Sequence, residues 1–107
     1  MSVKQFVEDA IAENDVVVFS KSWCGYSRRA KSLIKDQPQE VLEGKKVKVI
    51  ELDEKDDGDE IQSYLLSKTG QRTVPNVFIN QKHIGGNDDL QALHRKEGLP
   101  NVIAGTA

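Results

Sequence analysis

The feature that most constrains the fold is a short apolar run, residues 16–19 (VVVF), followed at once by polar residues. Its valines are β-branched, which favours an extended strand, and the run is too short for a helix. A strand that is apolar at every position is typical of a sheet covered on both faces. The run is also far shorter than the roughly 20 residues of a membrane-spanning helix. We therefore predict a buried strand at Val16–Ser20, and no membrane partner.

Composition is that of an ordinary globular protein. Of the 107 residues, 37% are hydrophobic and 30% are charged, which is enough for one compact core. No repeat, linker or low-complexity tract divides the chain, so we expect a single domain over residues 1–107. The net charge of −2 argues against a nucleic-acid partner, because such surfaces are usually basic.

Targeting and metal signals are also lacking in the sequence. Residues 1–10 have no apolar signal-peptide core and carry acids that transit peptides avoid. We expect a cytoplasmic protein, or an organellar one if a transit peptide has been removed. The single cysteine, Cys24, excludes an internal disulfide, and neither His83 nor His94 has zinc-ligand spacing to it. No bound metal or other cofactor is expected.

Periodicity and turn residues predict the elements around the first strand. Ser2 and Gln5 fit a capping box for a helix over 2–14. A second helix follows the turn at 21–25, and Pro38 interrupts or ends it. The remaining expected elements are a strand at 47–52, a helix ended by Gly70, strands at 76–79 and 82–84, a helix from Asn87 to Gly98 that buries Leu90 and Leu93, and one loose helical turn at 99–107.

The order of these elements predicts their topology. The first two strands lie on either side of a crossover helix and are therefore expected to be parallel. The last two are joined by Asn80-Gln81 and form an antiparallel hairpin. The expected fold class is α/β, a small four-stranded mixed sheet with helices on both faces. Acids between Asp53 and Glu60 are interpreted as a solvated helix start rather than a cation site.

Residues 21–27 (KSWCGYS) lie where the first strand hands over to the second helix. A helix start presents free N–H groups and the positive end of the dipole, which stabilise a thiolate. With a nearby cation such as Lys21, the pKa of a cysteine falls well below its usual value of about 8.5. The alternative is that Cys24 is a small buried hydrophobe. Its polar neighbours favour a reactive thiol.

Three segments resemble the glutaredoxin family. Residues 21–27 resemble the active site Lys-x-x-Cys-Pro-Tyr-Cys, residues 70–77 (GQRTVPNV) resemble Gly-x-x-Thr-Val-Pro, and residues 83–90 (HIGGNDDL) resemble His-Ile-Gly-Gly-x-x-Asp-Leu. The likeness extends over nearly the whole chain, with the segments in the family's order. It implies a thioredoxin-like fold, with glutathione as cosubstrate.

The resemblance also implies roles for individual residues. Pro75 matches a cis-proline beside the cysteine, and the backbone of Val74 pairs with the cysteinyl part of glutathione. Asn87 and Asp88 hold the γ-glutamyl end, while Lys21 and Gln62 reach the glycine carboxylate. The full set expected to bind glutathione is Lys21, Cys24, Tyr26, Gln62, Arg72, Thr73, Val74, Pro75, Gly86, Asn87 and Asp88.

Each of these residues also has a simpler interpretation. Without the resemblance, Pro75 is read as a trans proline in an ordinary loop, and Asn87 with Asp88 is read as a plain helix cap. Tyr26 either lines the sulfur cleft or packs at a helix start. When the resemblance is set aside, Lys21 is a surface lysine and Gln62 is a solvated helix residue. His83 is then an ordinary strand histidine.

The implied mechanism is monothiol exchange, with Cys24 as nucleophile and Lys21, Tyr26 and Ser27 beside it. The expected substrates are glutathionylated proteins, and glutathione reductase regenerates glutathione. The protein is expected to be a monomer. Ser27 stands where dithiol members carry a resolving cysteine, so no active-site disulfide can form. The sequence is compatible with a natural serine and with an engineered replacement. Gly25 replaces the usual proline.

Two other functions are compatible with the sequence. Residues 24–27 (CGYS) differ at one position from the Cys-Gly-Phe-Ser motif of some glutaredoxins. In those glutaredoxins two chains share one [2Fe-2S] cluster, and its ligands are the active-site cysteine of each chain, here Cys24, and two glutathiones. Residues 73–76 (TVPN) are of the enzymatic type and favour catalysis instead. The third interpretation is an inactive module that only binds glutathione.

Overall fold

The structure is a computed structural model and describes residues 2–107. Each element follows from a local signal: apolar periodicity for the helices and β-branched runs for the strands. The elements, in chain order, are α1 (Val3–Glu13), β1 (Val16–Ser20), α2 (Gly25–Lys35), α3 (Gln39–Leu42), β2 (Val47–Glu51), a 3₁₀ turn (Leu52–Glu54), α4 (Gly58–Thr69), β3 (Asn76–Ile79), β4 (Lys82–Gly85), α5 (Asn87–Glu97) and α6 (Leu99–Ala104).

The four strands form one mixed sheet in the order β2-β1-β3-β4. β1 is parallel to β2 and antiparallel to β3, so that Phe19 lies between Ile50 and Asn76. β3 and β4 are antiparallel, with Asn80 and Gln81 at positive φ in the turn. The predicted topology, including the parallel first pair and the hairpin, is confirmed.

β1 is buried along its whole length, because helices cover both faces of the sheet. Val17 and Phe19 pack on one face in a core that includes α1 and α4. Val16 and Val18 pack on the other face against α2, α5 and α6. The alternating side chains of one central strand therefore anchor both cores, and the position of its carboxyl end is fixed from both sides.

Three details differ from expectation. Ser2 accepts a hydrogen bond from the Gln5 N–H, but the Gln5 side chain donates to Asp9 and does not complete the capping box. Leu52 lies beyond β2, in the 3₁₀ turn. Leu93 is only partly buried, whereas Leu90 is fully buried. For Gln5 the competing partner is local, because Asp9 lies one turn further along the same helix.

The stretch around Pro38 and the C-terminal tail are more ordered than predicted. α2 ends at Lys35, and Pro38 precedes a separate short helix, α3, so that proline begins a helix here. The tail forms α6, in which Leu99 and Ile103 are fully buried. The Asn80 side chain donates to the carbonyls of Val102 and Ile103 and attaches this helix to the β3–β4 turn.

Among residues 2–107, no helix is both long enough and apolar enough to span a bilayer. The loop that follows β1 and the loop that precedes β3 lie at the same end of the sheet, because these two strands are antiparallel neighbours. Those loops carry Cys24 and Pro75. The sheet thus brings Cys24 close to Val74, the residue before Pro75, although these two residues are 50 positions apart in sequence.

Candidate active site

Cys24 lies at the junction between β1 and α2. Its N–H donates to the Lys21 carbonyl at 3.0 Å, which closes a tight turn, and it is the residue that immediately precedes α2. Its own carbonyl accepts from the Arg28 N–H at 3.0 Å, the first hydrogen bond of the helix. The thiol is partly exposed. The cysteine therefore sits at the helix start predicted from the sequence.

Opposing effects act on the Cys24 thiol, and the net result is a lowered pKa. Burial raises the pKa, but hydrogen bonds from the Ser27 N–H and hydroxyl and from the Tyr26 N–H outweigh it. The nearby Arg28 guanidinium adds a further lowering effect. Hydrogen bonds and positive charge both favour the anion. The site therefore stabilises a thiolate, the form of cysteine that acts as a nucleophile.

Arg28 is a site residue that the sequence analysis missed. Its Nη1 donates to the Trp23 carbonyl at 3.1 Å, which holds the guanidinium beside the loop that carries Cys24. Lys21, the expected cation, lies instead with Nζ 5.7 Å from the centre of the Trp23 ring. A spacing of four residues from Cys24, one helical turn, is the signal that would have identified Arg28.

The segment before β3 approaches the thiol from the opposite side. The Val74–Pro75 peptide bond is cis, as the resemblance implied. The Val74 carbonyl lies 3.9 Å from Cys24 Sγ. Within residues 2–107 the Val74 N–H donates no hydrogen bond to the backbone. A backbone N–H left free at such a position can pair with an extended ligand.

Gln71 holds this segment in place and was not predicted. Its Nε2 donates both to the Thr73 carbonyl at 3.0 Å and to the Pro75 carbonyl at 2.9 Å. Thr73 itself is exposed, whereas Pro75 is buried. A neutral amide in a loop gives no sequence signal of such a role, because its partners are backbone groups that only the folded loop brings near.

Gln62 and Arg72 connect α4 to the same segment. The Gln62 side chain is buried and donates to the Arg72 carbonyl at 3.0 Å, so the interpretation as a solvated helix residue is wrong. Arg72 is exposed, and its Nη1 donates to the Ser63 hydroxyl at 2.9 Å. The two residues thus position the loop that leads to Pro75, whatever else they bind.

Asp53 contacts the loop that carries Cys24. It is exposed, as expected, but it lies in the 3₁₀ turn rather than in the first turn of α4. Its carboxylate accepts from the Ser22 N–H at 3.0 Å and from the Ser22 hydroxyl. The Ser22 hydroxyl, then the Ser22 N–H, and more weakly Lys21, hold the pKa of this exposed carboxyl below its usual range. The residues are 31 positions apart, so local sequence gives no hint of the contact.

The start of α5 forms the third side of the site. Asp89 Oδ2 accepts from the Gly86 N–H at 3.0 Å. Gly85 has φ of +121°, and a Cβ there would lie 2.2 Å from Asp89 Oδ2, so only glycine fits. Asn87 is buried and its Oδ1 accepts from Gln91, while Asp88 is exposed and has no ionic or hydrogen-bonded partner in the described chain.

The aromatic residues flank the thiol without packing into the core. Tyr26 is 57% exposed and Trp23 is 67% exposed, which excludes the interpretation of Tyr26 as a packed aromatic. The Arg29 guanidinium lies 5.0 Å from the centre of the Tyr26 ring. His83 lies in β4 as expected, with Nε2 2.8 Å from Asn76 Oδ1.

The predicted residues therefore gather at one end of the sheet. Val74 contacts Cys24, Gly86 packs near the Pro75 carbonyl, and Gly25 and Asn87 line one cleft. Gln62 and Arg72 adjoin each other on the α4 side. In the part of the chain that the structure describes, no three His, Cys, Asp or Glu side chains are grouped as metal ligands.

Comparisons with known proteins agree with this geometry. A sequence model of the glutaredoxin family matches residues 16–84. A monothiol glutaredoxin-S12 of Arabidopsis thaliana, named as chloroplastic, is 45% identical over 104 residues, which are 96% of this chain. The chain spans 55% of the length of that relative.

Two solved structures superimpose on nearly the whole chain. The buckwheat glutaredoxin–glutathione complex matches with a TM-score of 0.84 and 43% identity over 97% of this chain and 89% of the other. The holo form of glutaredoxin C1 from Populus tremula × tremuloides matches with a TM-score of 0.83 and 39% identity over 98% of both chains.

The expected fold class is thereby confirmed: this is a thioredoxin-like fold with a partly exposed cysteine at the start of a helix, the architecture of a thiol–disulfide oxidoreductase. The chain belongs to the glutaredoxin family. Glutaredoxins are thiol oxidoreductases that use glutathione as cosubstrate.

Proposed function

We propose that this protein reduces mixed disulfides between proteins and glutathione by a monothiol mechanism, with Cys24 as nucleophile. The observation that carries the proposal is the environment of Cys24: a partly exposed thiol at a helix start whose pKa is lowered by its neighbours. A thiolate attacks disulfide sulfur, whereas a thiol does not. One cysteine is sufficient for this exchange.

In the first step the Cys24 thiolate attacks the glutathione sulfur of the substrate. A Cys24–glutathione disulfide forms, the original disulfide breaks, and the substrate leaves as a thiolate that takes a proton from water. In the second step the thiolate of another glutathione attacks the glutathione sulfur held on Cys24. Glutathione disulfide leaves, and the Cys24 thiolate is restored. Glutathione reductase then acts on the soluble disulfide and does not contact this protein.

The groove around Cys24 is proposed to hold glutathione in line for both steps. The free Val74 N–H and its carbonyl are suited to pair with the cysteinyl backbone. Asp88 has an unpaired carboxylate for the γ-glutamyl ammonium, and the start of α5, next to Gly86, offers the N–H groups of Asn87 and Asp88 to the γ-glutamyl carboxylate. The remaining proposed contacts are Lys21, Gln62 and Arg72 toward the glycine carboxylate, and Tyr26, Thr73 and Pro75 along the groove.

Ser27 restricts the reaction to this route. It is buried, and its N–H and hydroxyl both lower the pKa of Cys24. A serine at this position therefore stabilises the thiolate but supplies no second sulfur. We propose that the protein does not form an intramolecular disulfide and does not reduce protein dithiols by the two-cysteine route.

The second candidate is a [2Fe-2S] carrier, and one observation favours it. A Cβ at Gly25 would meet only Arg28 Nη2, at 3.7 Å, so the space beside Cys24 is open. The Populus relative is described as a holo form. Each chain would supply one ligand, the Cys24 thiolate, and a second chain with two glutathiones would supply the rest.

For the enzyme we propose a monomeric, single-domain protein in a compartment that contains reduced glutathione, namely the cytoplasm or an organelle.

The test is turnover of a glutathionylated peptide, coupled through glutathione reductase to NADPH consumption. We expect robust turnover that Cys24→Ser reduces by a factor of about 10³ or more, although the variant still folds cooperatively. Ser27→Cys is the matched variant: it keeps Cys24 and adds a second thiol, and it is expected to retain turnover. Negligible turnover by the folded, reduced wild type would contradict the enzyme, and a visible absorption band after anaerobic reconstitution would then favour the cluster.

A further inference from the structure

A polar cleft lies beside Cys24, between the start of α2 and the start of α5. It has a volume of about 630 Å³ and is lined by Gly25, Arg28, Arg29, Ser32, Asn87 and Gln91. Gly25 directly follows Cys24, so the cleft begins one residue from the reactive sulfur. None of its lining residues is acidic, and two of them are arginines.

Neither arginine is neutralised by the protein. In the described chain, no carboxylate pairs with Arg28 or Arg29, whereas Lys31, further along the same helix, pairs with Glu51 at 2.8 Å. Arg28 donates to the Trp23 carbonyl, and Arg29 lies over the Tyr26 ring. Both contacts orient a guanidinium without cancelling its charge. Because the chain as a whole has a net charge of −2, this concentration of positive charge is local.

The proposed glutathione contacts do not use these two arginines. Glutathione is assigned above to Lys21, the Val74 backbone and Asp88, which leaves both guanidinium groups available. A protein that carries the mixed disulfide must bring its own backbone close to Cys24, and it therefore covers the surface next to the thiol. Arginine binds carboxylates through a planar pair of donors, which gives a preference for Asp and Glu at such a position.

We infer that this cleft binds acidic side chains that flank the glutathionylated cysteine of a protein substrate, with Arg29 as the residue that selects for them. This inference rests on the proposed function and adds a substrate class to it. The two unpaired arginines attract acidic segments and repel basic ones, so the preference is expected in kcat/KM and is expected to weaken with salt.

The test compares two glutathionylated peptides of equal length that carry Glu or Lys on both sides of the modified cysteine. The quantity measured is the ratio of their kcat/KM values, because a change in the reactivity of Cys24 affects both peptides alike. We expect the wild type to favour the Glu peptide by about tenfold at low salt and by much less at high salt. Arg29→Gln is expected to reduce the ratio severalfold, and Arg29→Glu to reverse it.

Lys35→Gln is the matched control, because it removes one positive charge from the last turn of the same helix, away from the cleft. It is expected to keep the wild-type ratio. A wild-type ratio near one, or an equal loss in Lys35→Gln and Arg29→Gln, would overturn the inference. A small mixed disulfide of glutathione and hydroxyethanethiol separates the two proposals, because it has no side chains that could bind the cleft. If the wild type does not turn it over, the proposed reduction of glutathione mixed disulfides is itself contradicted.

Discussion

Two helix starts meet at the site, and they handle their free N–H groups in different ways. α5 has two acids in its first turn, Asp88 and Asp89, and the latter accepts from the Gly86 N–H. α2 has no acid in its first turn, and the residue before it is Cys24, whose sulfur faces the Tyr26 and Ser27 N–H groups. The negative charge that α5 carries as carboxylates is therefore missing from α2 when Cys24 is protonated.

The difference explains why one of the two helices activates a thiol. A helix start stabilises whichever anion is closest to it, and an acid in the first turn competes for that effect. In α2 the closest group able to become an anion is Cys24 itself, and the neighbouring cation Arg28 adds to the effect. A helix start is thus not sufficient for thiolate formation; the absence of competing acids matters as well.

The largest expected effect is on the stability of the α5 start. Gly85→Ala places a Cβ 2.2 Å from Asp89 Oδ2 at a φ of +121°, so we expect a loss of about 3 kcal/mol in the free energy of unfolding. Gly44→Ala is the control: its φ is +76°, but no atom lies within 4 Å of the added Cβ, and its cost is expected to be about 1 kcal/mol. Urea unfolding measures both, and equal losses would contradict the close approach.

The next effect comes from making α2 resemble α5. Tyr26→Asp places an acid at the second helical position, which Asp88 occupies in α5. We expect the pKa of Cys24 to rise and turnover at neutral pH to fall about tenfold relative to Tyr26→Asn, which removes the ring without adding charge. Since Tyr26 is largely exposed, both variants are expected to fold. Equal turnover by the two variants would mean that the first turn does not control the thiolate.

A smaller effect is expected when α5 loses its exposed acid. Asp88→Asn removes the proposed partner of the γ-glutamyl ammonium, so KM for glutathione is expected to rise about fivefold. The pH dependence of Cys24 alkylation is expected to stay where it is in the wild type, because Asp88 does not contribute to the lowered pKa of Cys24. An unchanged KM would exclude Asp88 from glutathione binding.

The smallest effect is on the pH dependence of stability. The pKa of Cys24 is lower in the folded than in the unfolded chain, so between these two values the unfolded state binds more protons and stability rises with pH. The stabilisation by the thiolate is therefore complete above the unfolded value of about 8.5 and is lost as the pH falls through the folded value. We expect the stability of wild type relative to Cys24→Ser to be greater at pH 9 than at pH 5, and the opposite trend would contradict the lowered pKa.

Much of the fold was predictable from the sequence because its signals are local. The all-apolar β1 run, the left-handed Gly70 that ends α4, and the Asn80-Gln81 turn each specify one element without reference to distant residues. The packed α6 was not predicted, because its stability depends on burying Leu99 and Ile103 against helices and strands far away in sequence. Local polarity suggested a loose end, and tertiary packing decided otherwise.

The site follows the same rule. Cys24 and its helix start were predicted, since a strand-to-helix junction is a local signal. Asp53 is exposed as expected, but its contact with Ser22 was not predicted because the two residues are 31 positions apart. Gln71 was overlooked because its side chain contacts only backbone carbonyls. Arg28 lies one turn beyond Cys24 and was within reach of a helical-spacing argument.

The most direct test of the account is the pH dependence of Cys24 alkylation by iodoacetamide. Cys24 is the only cysteine in the chain, so the rate reports on this thiol alone, and Cys24→Ser gives the background. The account predicts that the rate rises with pH around a midpoint clearly below the usual cysteine value of about 8.5. A midpoint at or above that value would mean that the start of α2 does not stabilise the thiolate, and the proposed nucleophile would be wrong.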